Sequence, residues 1–335
     1  MQCAYLYAPG DLRLVEREPL ALRPDDVRVD VAQTGICGTD LHVYGGMVFG
    51  RAATEPVAFG HEFSGRVVEV GSNVTTFSVG ERVTAIPNTP CGKCGLCRSG
   101  RAHVCQNRVT LRSGSWAPSL VLPAQNVYHL PDAVSDRLGA LTEPLACAVR
   151  AVDRSELRSG DRICIVGAGP IGLFVLAVAK ASGAQTIVVS EPRPYRQELA
   201  RRMGADIVVD PRESDLAMAV REVTDGIGAD VVFEVVGHPR TIAQAVECAA
   251  PGATVIIVGV TDAAAQVTIP GQQIFHRELT IRGTRGPTYA VERAIRWLAK
   301  LDFEPVMTHT FPLVQVNEAI QLGLSGDAGK ILLEP

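Results

Sequence analysis

Residues 162–191 read RICIVGAGPIGLFVLAVAKASGAQTIVVSE. An apolar run leads into Gly167, Gly169 and Gly172, a helical pattern follows, and a second β-branched run ends at Glu191. The G-x-G-x-x-G spacing is weak alone, but here it follows a strand pattern and opens a helix, which is the context it requires. Gly167 permits the tight turn, Gly169 lets the backbone approach a pyrophosphate, and Gly172 lets the helix pack closely on the strand. The N–H groups at the helix start favour an anion. Pro170 suits the first turn, where its missing N–H would have been unpaired. Glu191 lies nineteen residues after Gly172. A carboxylate there accepts from both ribose hydroxyls of NAD and repels a 2′-phosphate, so NAD is expected over NADP. Arg193 and Arg196 pull the other way, and an ordinary surface carboxylate at a strand end is the plain alternative for Glu191. FAD uses a similar fingerprint, usually nearer an N-terminus.

Outward from this stretch, short Val/Ile-rich runs recur near 163–167, 186–190, 206–209, 230–236, 253–258 and 279–282. Helical patterns fall between them at 170–182, 194–203, 214–224 and 239–250. Such alternation means βαβ units and a parallel sheet, and six strands suffice for a doubly wound α/β domain. The first 145 residues differ. Alternating apolar runs bounded by glycine and proline, at 26–35, 62–71 and 81–87, suggest an irregular β domain. After about 286 come two helical patterns and a final GKILLEP strand, which either extends the sheet domain or returns to the first one. A length of 335 residues agrees with two domains.

Composition narrows the functional classes. A formal net charge of −4 without a long basic run excludes a phosphate-backbone or anionic-membrane binder, so neither a nucleic-acid nor a membrane partner is expected. The longest apolar run, 171–179, is too short to span a bilayer. No basic segment followed by an apolar one opens the chain, so a cytoplasmic location is expected.

Four of the nine cysteines lie within fifteen residues, at Cys91, Cys94, Cys97 and Cys105. A reducing compartment and an odd total argue against disulfides and for thiolates on a metal. Four sulfurs suit tetrahedral zinc and leave no open position for substrate, so this cluster reads as structural. An iron–sulfur centre is possible by ligand type, but nothing else in the chain asks for electron transfer. Chemistry must then lie elsewhere. GICGTDLH (35–42) carries Cys37, Thr39, Asp40 and His42; FGHEFSG (59–65) carries His61 and Glu62; LTEPLA (141–146) carries Glu143. One Cys, one His and one or two carboxylates from separate segments resemble an open zinc site with three protein ligands. Each residue alone is equally an ordinary one: a small buried Cys in a glycine-rich turn, a surface His after Gly.

Together, GICGTDLH, GHEFSG, the spaced cysteines, Glu143-Pro144 and GAGPIGL resemble the zinc-dependent medium-chain alcohol dehydrogenases, in the branch of polyol (sorbitol-like) and threonine dehydrogenases. The likeness covers nearly the whole chain, in order. It implies a GroES-like β catalytic domain at 1–145 with a structural zinc lobe at about 88–108. A Rossmann NAD-binding domain at 146–285 follows, and 286–335 returns to the catalytic domain. It implies NAD and two zinc ions per chain. Cys37 and His61 become catalytic zinc ligands. Glu143 takes the third-ligand position, where the classical enzymes have Cys, and Glu62 either ligates or stands behind the metal. Thr39 contacts the zinc-bound alcohol, His42 ends a proton relay, and Asp40 orients His61. Cys91, Cys94, Cys97 and Cys105 hold the structural zinc. Ile171 backs the pyrophosphate turn, Arg196 flanks the adenosine, and Val258 lies near the nicotinamide.

The implied activity is oxidation of a secondary alcohol of a polyol, vicinal diol or sugar alcohol to the ketone. L-threonine 3-dehydrogenase or a sugar-acid dehydrogenase is the alternative. The segment 43–58 is expected to shape the pocket, and a homo-oligomer, tetramer or dimer, is the branch default. A zinc-free quinone reductase would lack Cys37, His61 and the cysteine lobe. A non-catalytic zinc- and NAD-binding protein would leave Thr39, His42 and Glu191 without a purpose.

Overall fold

The computed structural model describes residues 1–47 and 56–335, so much of the 43–58 segment lies outside the described residues. The chain divides into two compact units, Met1–Ala146 together with Pro287–Pro335, and Cys147–Gly286.

In the second unit the six β-branched runs form six parallel strands: Arg162–Val166, Thr186–Ser190, Ile207–Val209, Ala229–Glu234, Ala249–Ile257 and Thr280–Gly283. Their order across the sheet is third, second, first, fourth, fifth, sixth. That is the dinucleotide-binding arrangement, with its crevice beside the first strand. The doubly wound α/β class read from the sequence is the one observed. Near-continuous apolar strands such as RICIV and TIVVS are what a sheet covered on both faces demands. Accordingly Ile163, Cys164, Ile165, Val188 and Val232 are fully or almost fully buried. Helices Pro170–Ala181, Pro194–Arg202, Leu216–Glu222 and Pro239–Cys248 fall where the period-3.6 patterns place them.

The first unit is mainly β. Its largest sheet runs Val127–His129, Arg82–Ala85, Glu62–Val70, Asp26–Gly35, Lys330–Glu334, Met307–Pro312, and Ser119–Pro123 also pairs with Asp26–Gly35. The last strand of the chain is therefore an interior strand of this sheet. It pairs antiparallel with Asp26–Gly35 at Leu332–Gly35 and parallel with Met307–Pro312. A two-stranded ladder, Asn88–Thr89 with Val109–Thr110, closes the base of the segment that carries the four spaced cysteines. Among the described residues no helix is long and apolar enough to cross a membrane.

Candidate functional site

Cys37 ends the segment after strand Asp26–Gly35 and caps the short helix Gly38–Tyr44. Its sulfur accepts from the Thr39 N–H at 3.4 Å, and its own N–H donates to Asp40 Oδ2 at 2.9 Å. This is a capping box with sulfur in place of a hydroxyl. It fixes the Cys37 rotamer and the Asp40 carboxylate together. The other Asp40 oxygen lies 3.5 Å from His61 Nδ1. Asp40 is buried and so ties the backbone of one candidate ligand to the ring of the other. With Nδ1 held there, Nε2 is the ring nitrogen left to face a metal.

His61 is placed by the turn before it. Gly60 has φ +87°, and a Cβ there would overlap the Trp116 ring and crowd Ser115 Oγ. Trp116 is buried, packs on Phe59 at 5.2 Å between ring centroids, and donates to the Gly35 carbonyl at 3.1 Å. The Phe-Gly-His turn is thus clamped against the strand that leads to Cys37. Glu62 then begins the next strand, fully buried opposite Gly35.

Donor atoms of Cys37, His61 and Glu62 all lie within 4.8 Å of one another. One sulfur, one imidazole and one carboxylate suit zinc and leave a fourth position open. Burial raises the Cys37 thiol, and the Glu62 carboxylate raises it further. For His61, burial works to lower the pKa, but Asp40 and Cys37 outweigh it and raise the value well above 6.5. A buried group that resists giving up its protons is one that a cation would convert to its ligand form, so metal binding here releases protons. Glu143 sits in the first turn of helix Thr142–Ser155, buried, and burial is the main cause that pushes its carboxyl up to about 7. His61 and Lys330 oppose that shift and Glu62 adds to it, so Glu143 belongs to the same electrostatic neighbourhood. It is not a member of the three-donor group. Thr39 and His42 are three residues apart on helix Gly38–Tyr44, hence neighbours on one face, and both are partly buried.

The cysteine cluster assembles around helix Gly95–Arg98. Sulfur separations are 3.5 Å for Cys94–Cys97, 3.6 Å for Cys91–Cys105, 3.7 Å for Cys94–Cys105 and 3.9 Å for Cys91–Cys97. A tetrahedron with Zn–S bonds of about 2.3 Å has edges of roughly 3.8 Å, so these side chains already outline a closed ZnS₄ site. Backbone N–H groups of Lys93 and Cys94 lower Cys91 to about 6, whereas burial and the neighbouring sulfurs push Cys97 up to about 12. Four thiolates this close need a cation.

In the second unit, Gly167 has φ +107° and its absent side chain makes room for Val235 and Val236. Gly172 lies so close to the Gly167 carbonyl that a Cβ would overlap it. Gly169 is different. A Cβ there would meet only Arg196 Nη1, at 3.8 Å. That open face at the start of helix Pro170–Ala181 is a cradle into which a pyrophosphate fits. Pro170 occupies the first helical turn, and Ile171 follows it, partly buried. Glu191 is buried at the end of the second strand; Oε2 accepts from the Ala168 N–H at 2.9 Å and Oε1 from the Arg193 N–H at 3.0 Å. These two bonds leave lone pairs for a ribose. Val258 is partly buried and donates its N–H to the Glu234 carbonyl at 2.8 Å.

Two supporting carboxylate arrangements escape sequence reasoning. Glu234 is fully buried, and its Oε1 accepts from the Val236 and Gly237 N–H groups and the Thr241 hydroxyl at 2.8–3.0 Å, which pins the turn that packs on Gly167. Glu62 forms an ion pair with Lys330. A Glu closing a strand before a Val-Val-Gly turn was the available signal for the first; the second joins residues 268 apart and leaves none.

Residues 23–132 match the model of the alcohol dehydrogenase GroES-like domain, and 170–300 that of the zinc-binding dehydrogenases. L-threonine 3-dehydrogenase of Caldanaerobacter subterraneus subsp. tengcongensis is 35% identical over 331 residues, covering 96% of this chain and 95% of the relative. The solved 2R,3R-butanediol dehydrogenase of Bacillus subtilis aligns with a TM-score of 0.90 at 32% identity, over 100% of this chain and 99% of its own. A solved structure from Sinorhizobium meliloti 1021 bound to NADP aligns at 0.93 and 32%, over the same shares.

Proposed function

The chain belongs to the zinc-dependent medium-chain alcohol dehydrogenase family, and from that premise we propose that it oxidises a secondary alcohol bearing a neighbouring hydroxyl or amino group to the ketone, with NAD as acceptor. It is an oxidoreductase acting on CH–OH. The observation that carries the reading is the Cys37–His61–Glu62 donor group with Asp40 fastened behind it. Polyols, vicinal diols and sugar alcohols fit this description, and so does L-threonine, whose hydroxyl neighbours an amine. The relatives support both: one is named a threonine dehydrogenase, another a butanediol dehydrogenase.

Bound at Cys37 and His61, with Glu62 or Glu143 as the carboxylate ligand, zinc supplies a Lewis acid that makes a coordinated hydroxyl acidic near neutral pH. The four lobe cysteines hold the second ion and keep that segment folded. Asp40 keeps His61 in the tautomer that presents Nε2. Thr39, directly after the Cys37 turn, accepts the hydrogen bond of the substrate hydroxyl, and His42 on the same helix face delivers the proton to solvent. His42→Ala should lower kcat about 10²-fold, with partial rescue by small imidazole buffers. Kinetics unchanged across pH and buffer would take His42 out of the relay.

On the cofactor side, Gly167, Gly169, Pro170, Ile171 and Gly172 form the pyrophosphate turn, with Arg196 beside it and Val258 toward the nicotinamide. Glu191 selects the unphosphorylated ribose. A structural relative carries NADP, so the fold itself does not exclude the phosphorylated dinucleotide and the choice falls on this carboxylate. Glu191→Ala should raise the Kd for NAD about tenfold or more and shift the NAD/NADP ratio toward NADP. An unchanged ratio by fluorescence titration would remove Glu191 from the ribose.

The test of the substrate reading is NADH appearance with zinc-replete enzyme on a pool of polyols and vicinal diols against L-threonine. Turnover on the pool supports the polyol reading, and turnover on threonine alone selects the amino alcohol. Silence on both, with NAD still bound, defeats the proposed substrate class.

A further inference from the structure

A buried lysine stands behind the proposed catalytic donor group. Lys330 opens the last strand, is 1% exposed, donates from Nζ to the Ile36 carbonyl at 2.8 Å, and pairs with Glu62 Oε2. Glu62 is 0% exposed, and its Oε1 has no hydrogen-bond partner among the described residues. The contact is built into the sheet. Gly35 pairs with Glu62 on one side and Leu332 on the other, and a side chain at Gly35 would overlap the Glu62 carboxylate and come within 2.8 Å of Lys330 Cε. The middle strand thus leaves a gap at Gly35, and the ion pair between the strands on either side fills it.

A fully buried ion pair is weak evidence for a stabilising role, since desolvation offsets the attraction. An unpartnered carboxylate oxygen beside it is a further cost. Both make sense if the free oxygen has an intermittent partner. We propose that Lys330 is a positioning residue for the metal: it restrains Glu62 through one oxygen, so that the carboxylate is a displaceable ligand rather than a permanent one. This rests on the reading of Cys37, His61 and Glu62 as the catalytic metal site. Cys37 and Glu62 together bring two negative charges to the cation, and Lys330 withdraws part of one. A substrate oxygen can then displace Glu62. Without Lys330 the buried carboxylate has the metal as its sole cationic partner, and the metal is held more tightly.

The test uses the zinc-loaded chain with cobalt(II) exchanged into the catalytic site. The absorption of a single-thiolate cobalt centre distinguishes it from the four-thiolate lobe. Cobalt loss to excess EDTA is followed for the wild type, Lys330→Met, Lys330→Arg, Glu62→Gln and the Lys330→Met/Glu62→Gln pair. Lys330→Met should lose cobalt about tenfold more slowly, the scale on which outer-shell partners act. Lys330→Arg should stay near the wild-type rate, and the gain should vanish in the Glu62→Gln background. Loss at an unchanged or faster rate in folded Lys330→Met, or slowing that persists without Glu62, overturns the proposal. Glu62→Gln alone decides the matter even where Lys330→Met does not fold. With Lys330 in place it should speed cobalt loss by less than about threefold, and an acceleration of about tenfold or more would make Glu62 a permanent ligand after all. A wild-type chain with no single-thiolate band overturns the site reading and the clamp together. A band insensitive to these residues overturns the clamp alone.

Discussion

Cys37→Ser is expected to abolish turnover while leaving most of the protein intact. A serine hydroxyl keeps the capping geometry of helix Gly38–Tyr44, because it too accepts from the Thr39 N–H, so the local backbone should not move. It cannot replace the thiolate as a zinc ligand, because its proton does not leave near neutral pH. Losing Lewis-acid activation of the substrate hydroxyl removes several kcal/mol of transition-state stabilisation, and about 4 kcal/mol is roughly 10³-fold in rate. Zinc content should fall from two ions per chain to one, since the four lobe sulfurs, 3.5–3.9 Å apart, form a separate site. NAD affinity should hold. Metal analysis, dinucleotide titration and steady-state rates on one preparation check all three. Retention of two zinc ions with near-normal turnover would mean that Cys37 does not ligate the catalytic metal.

What could be read in advance divides along a physical line. The βα alternation of the second unit is local: each β-branched run and each period-3.6 stretch carries its own signal, and Gly167, Gly169 and Gly172 mark the turn between the first two. All six strands and four helices appear where that reading puts them. The metal-site residues were legible as types at a spacing, but their division of labour was not. Glu62 follows His61 directly and Glu143 lies far along the chain, yet both read as carboxylates for the metal; only the pairing of Glu62 with Gly35 brings the former alone into the group with Cys37 and His61. Helix Gly38–Tyr44 was missed because glycine-rich GICGTDLH looks like a loop. Its C-x-x-D spacing was a capping signal in disguise, sulfur standing where Ser or Thr is usual. Lys330 was invisible. A lysine before ILLE looks like an ordinary strand start until the register sets it against residues 36 and 62.

The glycine turn offers the sharpest separation of binding from folding. Gly169 has φ −66° and ψ 177°, a conformation open to any residue, and its Cβ position is free of backbone contacts. Gly169→Ala should therefore leave the melting temperature unchanged or slightly raised, since reduced unfolded-state entropy contributes about 0.4–1 kcal/mol at such sites. The new methyl group, however, projects into the space where a pyrophosphate must approach the backbone. NAD affinity should fall by about tenfold or more as direct N–H contacts are lost. Gly172→Ala should behave oppositely in its first effect. Its Cβ would overlap the Gly167 carbonyl and lie 3.1 Å from Val235 Cγ2, so helix and strand must move apart. Overpacking of this kind costs about 1–3 kcal/mol, or several degrees of melting temperature in a domain of this size. Cofactor binding suffers only as a consequence, because the turn is displaced. Thermal unfolding and NAD titration of the two variants side by side thus distinguish a residue that leaves room for the ligand from one that leaves room for the protein. If Gly169→Ala bound NAD like the wild type, the open face of the turn would not be where the pyrophosphate sits, and the dinucleotide reading of this site would fail at its centre.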